Sequence, residues 1–269
     1  MIGTTKSLGE KDSLDRFYTK PEIALKCISL IDNLDGYDTI IEPSAGSGSF
    51  SKPLKCIAYD LAPSAEGIIE ADWFKVDKSQ FTLNSLVVGN PPFGVQCNLA
   101  VNFFNEAANF CKTIAFILPL SFKKRSVKDR LNRYFWLEKE WILPANSFLL
   151  NDKEYDVPCV FQIWTRRNVQ REKLKQVTTT NLFKFVKDKA EADFRIQRVG
   201  GNAGKASYNL DVSAQSNYFI KNTSSYSNDE LMNIINNTEF ADIAYTVGPK
   251  SLSKTELILT LEEVIGERR

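Results

Sequence analysis

An apolar run that ends in two prolines leaves a chain few options, and Val87-Val88-Gly89-Asn90-Pro91-Pro92-Phe93-Gly94 is such a run. The adjacent valines suit a strand buried on both faces. Neither Pro91 nor Pro92 can donate to a sheet ladder, and each fixes its own φ, so the strand must stop there and the backbone must turn. The turn gathers a side-chain amide, a main-chain carbonyl and a ring. Asn90 Oδ1 and the Pro91 carbonyl can accept the two protons of a planar amino group while Phe93 covers its π face. An isolated Asn-Pro-Pro is also an ordinary loop opener. The segment upstream decides between the two readings.

There, Asp38-Thr39-Ile40-Ile41-Glu42-Pro43-Ser44-Ala45-Gly46-Ser47-Gly48-Ser49-Phe50 reads as a short apolar strand running into a small-residue turn and then toward a helix. Gly46 and Gly48 permit backbone angles and a close ligand approach that a Cβ would block. A dinucleotide fingerprint needs a third glycine where Ser51 stands, and a phosphate-binding P-loop needs a Gly-Lys-Ser/Thr that is absent. Glu42 at the strand end further disfavours an anion and favours a ligand with cationic or hydroxyl character.

Glu42-Pro43-Ser44-Ala45-Gly46-Ser47-Gly48-Ser49-Phe50 followed by Asn90-Pro91-Pro92-Phe93 resembles the S-adenosylmethionine (SAM) motif and the catalytic motif of amino-group methyltransferases, especially the N6-adenine enzymes. Arg16-Phe17-Tyr18-Thr19-Lys20-Pro21-Glu22-Ile23-Ala24 resembles the Tyr-Thr-x-Pro segment by which those enzymes hold the methionine end of the cofactor. This order of segments is similar to that of the gamma group of DNA adenine methyltransferases, and the likeness covers roughly residues 14 to 167. It implies a Rossmann-like SAM-dependent methyltransferase fold, a doubly wound, mostly parallel seven-stranded sheet. Residues 1–167 would be the catalytic domain and 168–269 a small C-terminal target-recognition region.

The spacing of apolar residues agrees with alternating strands and helices. Ile40-Ile41, Cys56 to Asp60, Gly67 to Ala71, Leu86 to Gly89, Thr113 to Leu118 and Cys159 to Thr165 are short apolar runs, expected as strands buried on both faces. Pro21 to Ile31 and Asn98 to Cys111 carry helical spacing, Lys123 to Arg133 is expected as a basic helix, and Asp229 to Asn236 as a closing helix. Strand–helix alternation argues for a parallel, doubly wound sheet whose ligands lie at the carboxyl ends of the strands. Asp60 and Asp72 fall at two such ends. Asp60 can accept from ribose hydroxyls, and the resemblance implies that role. It also implies that Asp72 accepts from the cofactor's adenine amino group, with the Trp73 ring available to pack on the base. Their alternative is as loop residues, with Trp73 in the core. Tyr18, Thr19, Glu42, Pro43, Ala45, Gly46, Gly48, Asp60, Asp72, Trp73 and Asn90 are thus the expected cofactor residues, and Asn90, Pro91, Pro92 and Phe93 the catalytic ones.

Composition sets the outer bounds. A hydrophobic content of 43% over 269 residues suits one substantial core and a small second module. No apolar run approaches the roughly twenty residues of a membrane span and Met1 to Lys6 lack a signal-peptide core, so a soluble, cytoplasmic protein is expected. The five cysteines form no Cys-x-x-Cys pair and read as reduced, mostly buried thiols, with no metal expected. The chain has no histidine, which excludes Ser-His-Asp and Cys-His catalysis. Methyl transfer from a sulfonium needs neither.

A base inside a duplex cannot reach a strand-end turn, so a DNA substrate would be flipped out, costing a few kcal/mol, of which stacking on Phe93 can return about 1–3. In the gamma adenine enzymes a Phe shortly before the last conserved strand closes the sandwich. Phe148, before Asp156 to Phe161, matches it, with a longer gap than in the family; Tyr155 competes, and plain core packing is the third reading. Net charge is only +1, so nucleic-acid contact must come from local runs. One is Lys123, Lys124, Arg125, Lys128, Arg130 and Arg133. Another begins at Arg166, Arg167, Arg171, Lys173 and Lys175 and leads to a glycine-rich turn carrying Arg195, Arg198 and Lys205, expected to touch phosphate or target. Adenine in DNA is the favoured acceptor. Adenine in RNA, a protein glutamine, and an inactive subunit that only binds nucleic acid are the alternatives. The residues before Glu42 carry Tyr-Thr-x-Pro where the glutamine enzymes resemble a helical domain, which disfavours a protein substrate. No nuclease signature stands out, so a restriction partner would be separately encoded; oligomeric state is left open.

Overall fold

The computed structural model describes residues 17–173, 176–246 and 248–266. Arg16 and Lys175, named above, lie outside the described residues. The chain divides into two compact units, Met1–Lys173 and Leu174–Arg269.

In the first unit, seven strands form one sheet. Following a short β1 (Tyr18–Thr19), the strands are β2 (Thr39–Glu42), β3 (Ile57–Asp60), β4 (Ile68–Glu70), β5 (Ser85–Gly89), β6 (Thr113–Pro119), β7 (Phe135–Ile142), β8 (Phe148–Leu150), β9 (Lys153–Tyr155) and β10 (Cys159–Arg166). The large sheet has the order β4-β3-β2-β5-β6-β10-β7, and only β10 runs against the others. This is the expected Rossmann-like, doubly wound, mostly parallel α/β sheet. The chain winds outward from β2 through β3 to β4, then restarts on the other side of β2 with β5. The gap between the carboxyl ends of β2 and β5 is therefore the topological switch point, where sheets of this kind bind ligands.

The double winding is visible residue by residue. All of β6 is buried, but Ile114, Phe116 and Leu118 pack into one core cluster while Ala115 and Ile117 pack into another. Period-2 alternation thus delivers apolar side chains to both faces at once. Helix α1 (Pro21–Ser29), with proline in its first turn, closes the second face through Ile23, Ala24 and Cys27. After the single turn α2 (Ser51–Leu54), helix α3 (Asn98–Ala107) closes the first through Ala100, Val101, Phe103, Phe104 and Ala107. Each phenylalanine so buried contributes about 1.5–3 kcal/mol relative to exposure.

Two elements expected in the first unit are corrected. The basic stretch Lys123 to Arg133 is not a helix: Lys124 is extended (φ −67°, ψ 137°), which leaves only the four-residue α4 (Arg125–Lys128), and Asn105 anchors the rest by accepting from Asn132 N and donating to Arg130 O. Strand β4, expected to be buried on both faces, is an edge strand with Ile69 half exposed, because no strand among the described residues pairs beyond it. The long gap before Asp156 holds the hairpin β8–β9, and β8 pairs antiparallel with β1 to make a separate three-stranded sheet. The charged edge strand β7, whose apolar alternation is broken by Glu138-Lys139-Glu140, was also not evident from the sequence.

The second unit is a four-stranded antiparallel sheet with the order β11-β14-β12-β13, comprising β11 (Phe183–Val186), β12 (Phe194–Gln197), β13 (Ala206–Ser207) and β14 (Asn217–Asn222). Helices α5 (Asn228–Asn237) and α6 (Lys254–Gly266) share its core, which includes Phe183, Phe194, Ile196, Ile220, Leu231, Leu257 and Leu261. Ser227 and Glu230 form a reciprocal capping box that starts α5 within a residue of the expected place. The closing helix of the chain is α6 rather than α5. All five cysteines are free, with Cys27, Cys111 and Cys159 buried, and no helix among the described residues is long and apolar enough to cross a membrane.

Candidate active site

A cavity of about 300 Å³ opens at the switch point. It is walled by β1, the turn after β2, the ends of β3 and β4, and the turn after β5. Of the residues expected to bind cofactor, Tyr18, Thr19, Glu42, Pro43, Ala45, Gly46, Asp60, Asp72, Trp73 and Asn90 all line it, as do Pro91, Pro92 and Phe93. Gly48 does not; it shapes the turn at φ +82°, donating from its N–H to Ala45 O at 2.8 Å. The volume is at the small end of the range for small-molecule sites.

The glycine turn is clamped by its neighbours. Ala45 N donates to Tyr59 O at 2.9 Å and Gly46 N to Asp60 Oδ2 at 2.7 Å, while Asp60 Oδ1 accepts from Ala62 N at 2.9 Å. Asp60 thus holds two loops with one carboxylate, and each oxygen retains a lone pair for a further donor. Gly46 sits at φ +52° with the Tyr18 ring 3.0 Å from where a Cβ would be, so a side chain here would meet both strain and the ring. The Tyr18 hydroxyl lies 3.1 Å from Ser64 Oγ, and Ser49 Oγ donates to Thr19 O at 2.6 Å, tying β1 across the turn. Asp72 caps the turn after β4 by accepting from Phe74 N at 3.1 Å. Trp73 is fully buried behind it, with Lys78 Nζ 4.5 Å over its ring.

Three buried polar atoms around this cavity lack hydrogen-bond partners among the described residues: Glu42 Oε2, Trp73 Nε1 and Asn90 Oδ1. Leaving such an atom unpaired costs about 1–3 kcal/mol, so three around one cavity mark a surface shaped for a ligand bearing both donors and an acceptor. Burial pushes the Glu42 carboxyl up to about 8, against hydrogen bonding with Ser51 and with the charge of Asp60 adding to the rise. Gly89, at φ +145°, lets the Glu42 side chain pass; a Cβ there would stand 3.2 Å from Glu42 Cγ. Asn90 Nδ2 donates to Phe17 O at 3.1 Å and Ser44 Oγ donates to Asn90 O at 3.3 Å, so the amide is turned with Oδ1 as its unpaired end.

The remaining candidates are not among the residues that line the cavity. Phe148 is wholly buried in the core and Tyr155 lies behind Phe17, their ring centroids 5.0 Å apart and their planes 13° from parallel; neither lines the cavity. Arg195, Arg198 and Lys205 belong to the second unit and already have intramolecular partners. Arg195 donates to Asn217 Oδ1 at 2.8 Å and Asn209 O at 3.1 Å, Arg198 to Gln215 O at 3.4 Å, and Lys205 to Asn236 O at 2.5 Å. In the basic run of the first unit, Arg171 donates to the carbonyls of Phe135 and Lys128, and Arg166 to those of Cys111 and Ala108. Arg171 thus ties down the edge strand β7 and the segment before it, and Arg166 the connection from α3 to β6. Phe17, Ser44, Leu99 and Phe103 line the cavity without having been singled out from the sequence as site residues. Phe17 and Ser44 lie inside the two motif segments, which was the available signal; Leu99 and Phe103 carry only the apolar spacing of α3.

No known protein-family profile matches the chain. The Arabidopsis thaliana protein ENHANCED DOWNY MILDEW 2 is 30% identical over 184 residues, 57% of this chain, and the match spans only 14% of that protein's length. Among solved structures, a Pyrococcus horikoshii protein provisionally assigned as an RNA methyltransferase shares 14% identity over 60% of this chain and 92% of its own, with a TM-score of 0.45. The 23S rRNA methyltransferase ErmE shares 14% over 58% of this chain and 71% of its own, with a TM-score of 0.42. The modification subunit of a provisionally assigned type I restriction enzyme from Vibrio vulnificus shares 14% over 60% and 46%, with a TM-score of 0.41.

Proposed function

We propose that this chain is a SAM-dependent methyltransferase that methylates the exocyclic N6 amino group of adenine in DNA, acting on a base flipped out of the duplex. The observation that carries the reading is Asn90. Its Oδ1 is buried and unpaired beside a cavity because its own Nδ2 is committed to Phe17 O. That leaves a buried acceptor with no donor among the described residues, on a residue that lines the cavity together with Pro91 and Phe93.

The residues of the cavity fit the cofactor. Glu42 Oε2 is a buried carboxyl oxygen with no partner among the described residues, the backbone at Gly46 leaves room that a Cβ would fill, and Asp60 and Asp72 retain acceptor capacity at adjoining strand ends. Bound there, SAM supplies an electrophilic methyl group on a sulfonium. An exocyclic adenine amine is a poor nucleophile because its lone pair is delocalised into the ring. Asn90 Oδ1 and the Pro91 carbonyl, accepting its two protons, draw the nitrogen toward tetrahedral geometry and localise that pair. Asn90 is neutral and acts by orientation, so the proton leaves once the nitrogen has become cationic. Phe93 holds the base by stacking. The second unit, with Arg195, Arg198 and Lys205, serves as the target-recognition region in this reading.

Incubation with labelled SAM and DNA, RNA or protein, followed by nucleoside and amino-acid analysis, tests the proposal. N6-methyladenine from DNA is the expected product. Label in RNA alone would move the acceptor to RNA, and label only in protein glutamine would overturn the nucleic-acid reading.

A further inference from the structure

A base stacked on Phe93 needs a second aromatic ring in the cavity to close the sandwich, and neither Phe148 nor Tyr155 lines it. Phe17 does: it lines the same cavity as Asn90 and Phe93, and its carbonyl accepts the Asn90 amide N–H at 3.1 Å. One hydrogen bond therefore ties the backbone that carries this ring to the amide that carries the acceptor oxygen. Behind Phe17 stands a panel of aromatic rings. Tyr155 stacks on it at 5.0 Å and 13°, and Phe148 tilts against it at 6.4 Å and 59°. These two rings sit directly opposite each other in the β8–β9 hairpin. The hairpin in turn holds β1 along one edge, pairing Tyr18 with Leu149 and Thr19 with Phe148, and Lys20 N donates to Ser147 O at 3.1 Å. A ring so backed cannot swing away, and a preorganised aromatic surface is what a stacking partner requires.

Resting on the amino-methyl-transfer reading above, we infer that Phe17 is the acceptor-stacking residue that holds the planar, amino-bearing base against Phe93, and that Tyr155 is the positioning residue that keeps Phe17 in place. The hairpin between β7 and β10 then has a function: it is the buttress of the acceptor pocket, one layer removed from the base.

The test separates acceptor from cofactor. SAM affinity is measured by calorimetry, and methyl transfer is followed over a range of the nucleic acid, DNA or RNA, that the wild type methylates. Phe17→Leu is expected to raise the acceptor KM about tenfold, the low end of what losing one base–aromatic stack costs, while SAM affinity stays within about twofold. Phe17→Tyr should restore the acceptor KM. Tyr155→Leu should shift the acceptor KM in the same direction and Tyr155→Phe should not, which a general loss of folding in either Leu variant could not reproduce. An unchanged acceptor KM in Phe17→Leu, or a SAM affinity that falls in step with it, overturns the inference while leaving methyl transfer intact. Failure of the underlying reading shows in the wild type itself, as no transfer from SAM to any amine, and takes the inference with it.

Discussion

In the unit that ends at Lys173, three buried polar atoms border one cavity with no partner, whereas in the unit that follows, Arg195, Arg198 and Lys205 are already bonded to their own chain. Both patterns arise from residues that look equally functional as letters. The difference is energetic. A buried acceptor left unpaired costs stability unless a ligand relieves it, so Glu42 Oε2 and Asn90 Oδ1 have little to explain them apart from binding. An arginine such as Arg195, whose donors reach two side-chain amides and a main-chain carbonyl, has a structural explanation before any ligand is considered. The second unit does hold two unpaired buried atoms, Arg198 Nε and Glu256 Oε1, but neither lines the cavity of that unit beside Lys205. There the Arg198 guanidinium lies 5.3 Å from the Tyr218 ring and Glu256 caps the chain before α6 by accepting from Ser253 N.

The contrast breaks most decisively at Asn90. Asn90→Ala removes the unpaired acceptor and the amide that binds Phe17 O. Loss of one preorganised transition-state contact is worth about 10²–10³ in kcat, and this one also orients the nucleophile, so turnover should fall at least that far. SAM affinity should hold within a few-fold. Full activity in a stopped assay with labelled cofactor would refute the role given to the Asn-Pro-Pro-Phe turn.

A smaller effect is expected one strand away. Asp60→Ala strips the acceptor from both Gly46 N and Ala62 N, so the glycine turn loses its clamp and any hydroxyl of the cofactor loses its partner. Two hydrogen bonds to a charged group, each worth about 1.5–3 kcal/mol, set the upper limit; with partial replacement by water, a tenfold to hundredfold loss of SAM affinity is expected. Calorimetry that finds the affinity unchanged would remove Asp60 from the cofactor site.

These effects lie where the sequence was most readable, for a physical reason. Strands buried on both faces read as apolar runs, so β5, β6 and β10 were legible to within a residue or two, and the motifs fall at strand ends because that is where a parallel sheet exposes its backbone. Legibility failed where the third dimension intervenes. The hairpin β8–β9 has only three residues in each strand, and its pairing with β1 joins segments far apart in the chain, so no periodicity announces it. Phe148 matched a stacking role by position along the chain but is in the core, since the hairpin places Phe17 in front of it. Lys123 to Arg133 looked helical from its charges, yet Arg130 reaches across to Gln96 O and the segment serves as a loop tie.

Glu42 offers a subtler way to sharpen the comparison, because it needs no substrate. Its folded carboxyl, raised to about 8 by burial, lies above the ordinary 4.5. Between those values the folded chain keeps a proton that the unfolded chain has released. The stability Glu42 contributes is therefore fully present below about pH 4.5 and is lost as pH rises through 8. Asp60, whose charge faces it, and Cys56, raised to about 12 by its own burial, are the titratable neighbours. Cys56 stays neutral throughout this window. Thermal unfolding from pH 5 to 9 should show the wild type losing stability with rising pH and Glu42→Gln losing less. Parallel curves would mean that the carboxyl is already ionised in the folded chain.

The smallest effect is expected in the second unit, and it tests whether satisfied cations still contact nucleic acid. Arg195→Ala removes bonds to Asn217, Asn209 and, at 3.3 Å, Gln197 Oε1. If those bonds are its main work, the unit should lose about 1–2 kcal/mol of stability, and the dependence of nucleic-acid binding on salt should stay as it was. If Arg195 instead meets a phosphate, the slope of log affinity against log salt should shrink by about one charge. Lys205, exposed and, among the described residues, held by its ammonium to Asn236 O, is the control within the same unit. With a single neutral partner to give up, it can turn to a phosphate at little cost, so Lys205→Ala is the variant expected to lower the salt slope. A slope lowered by Arg195→Ala and not by Lys205→Ala would reverse the comparison between the units, since internal bonding would then no longer separate structural cations from binding ones.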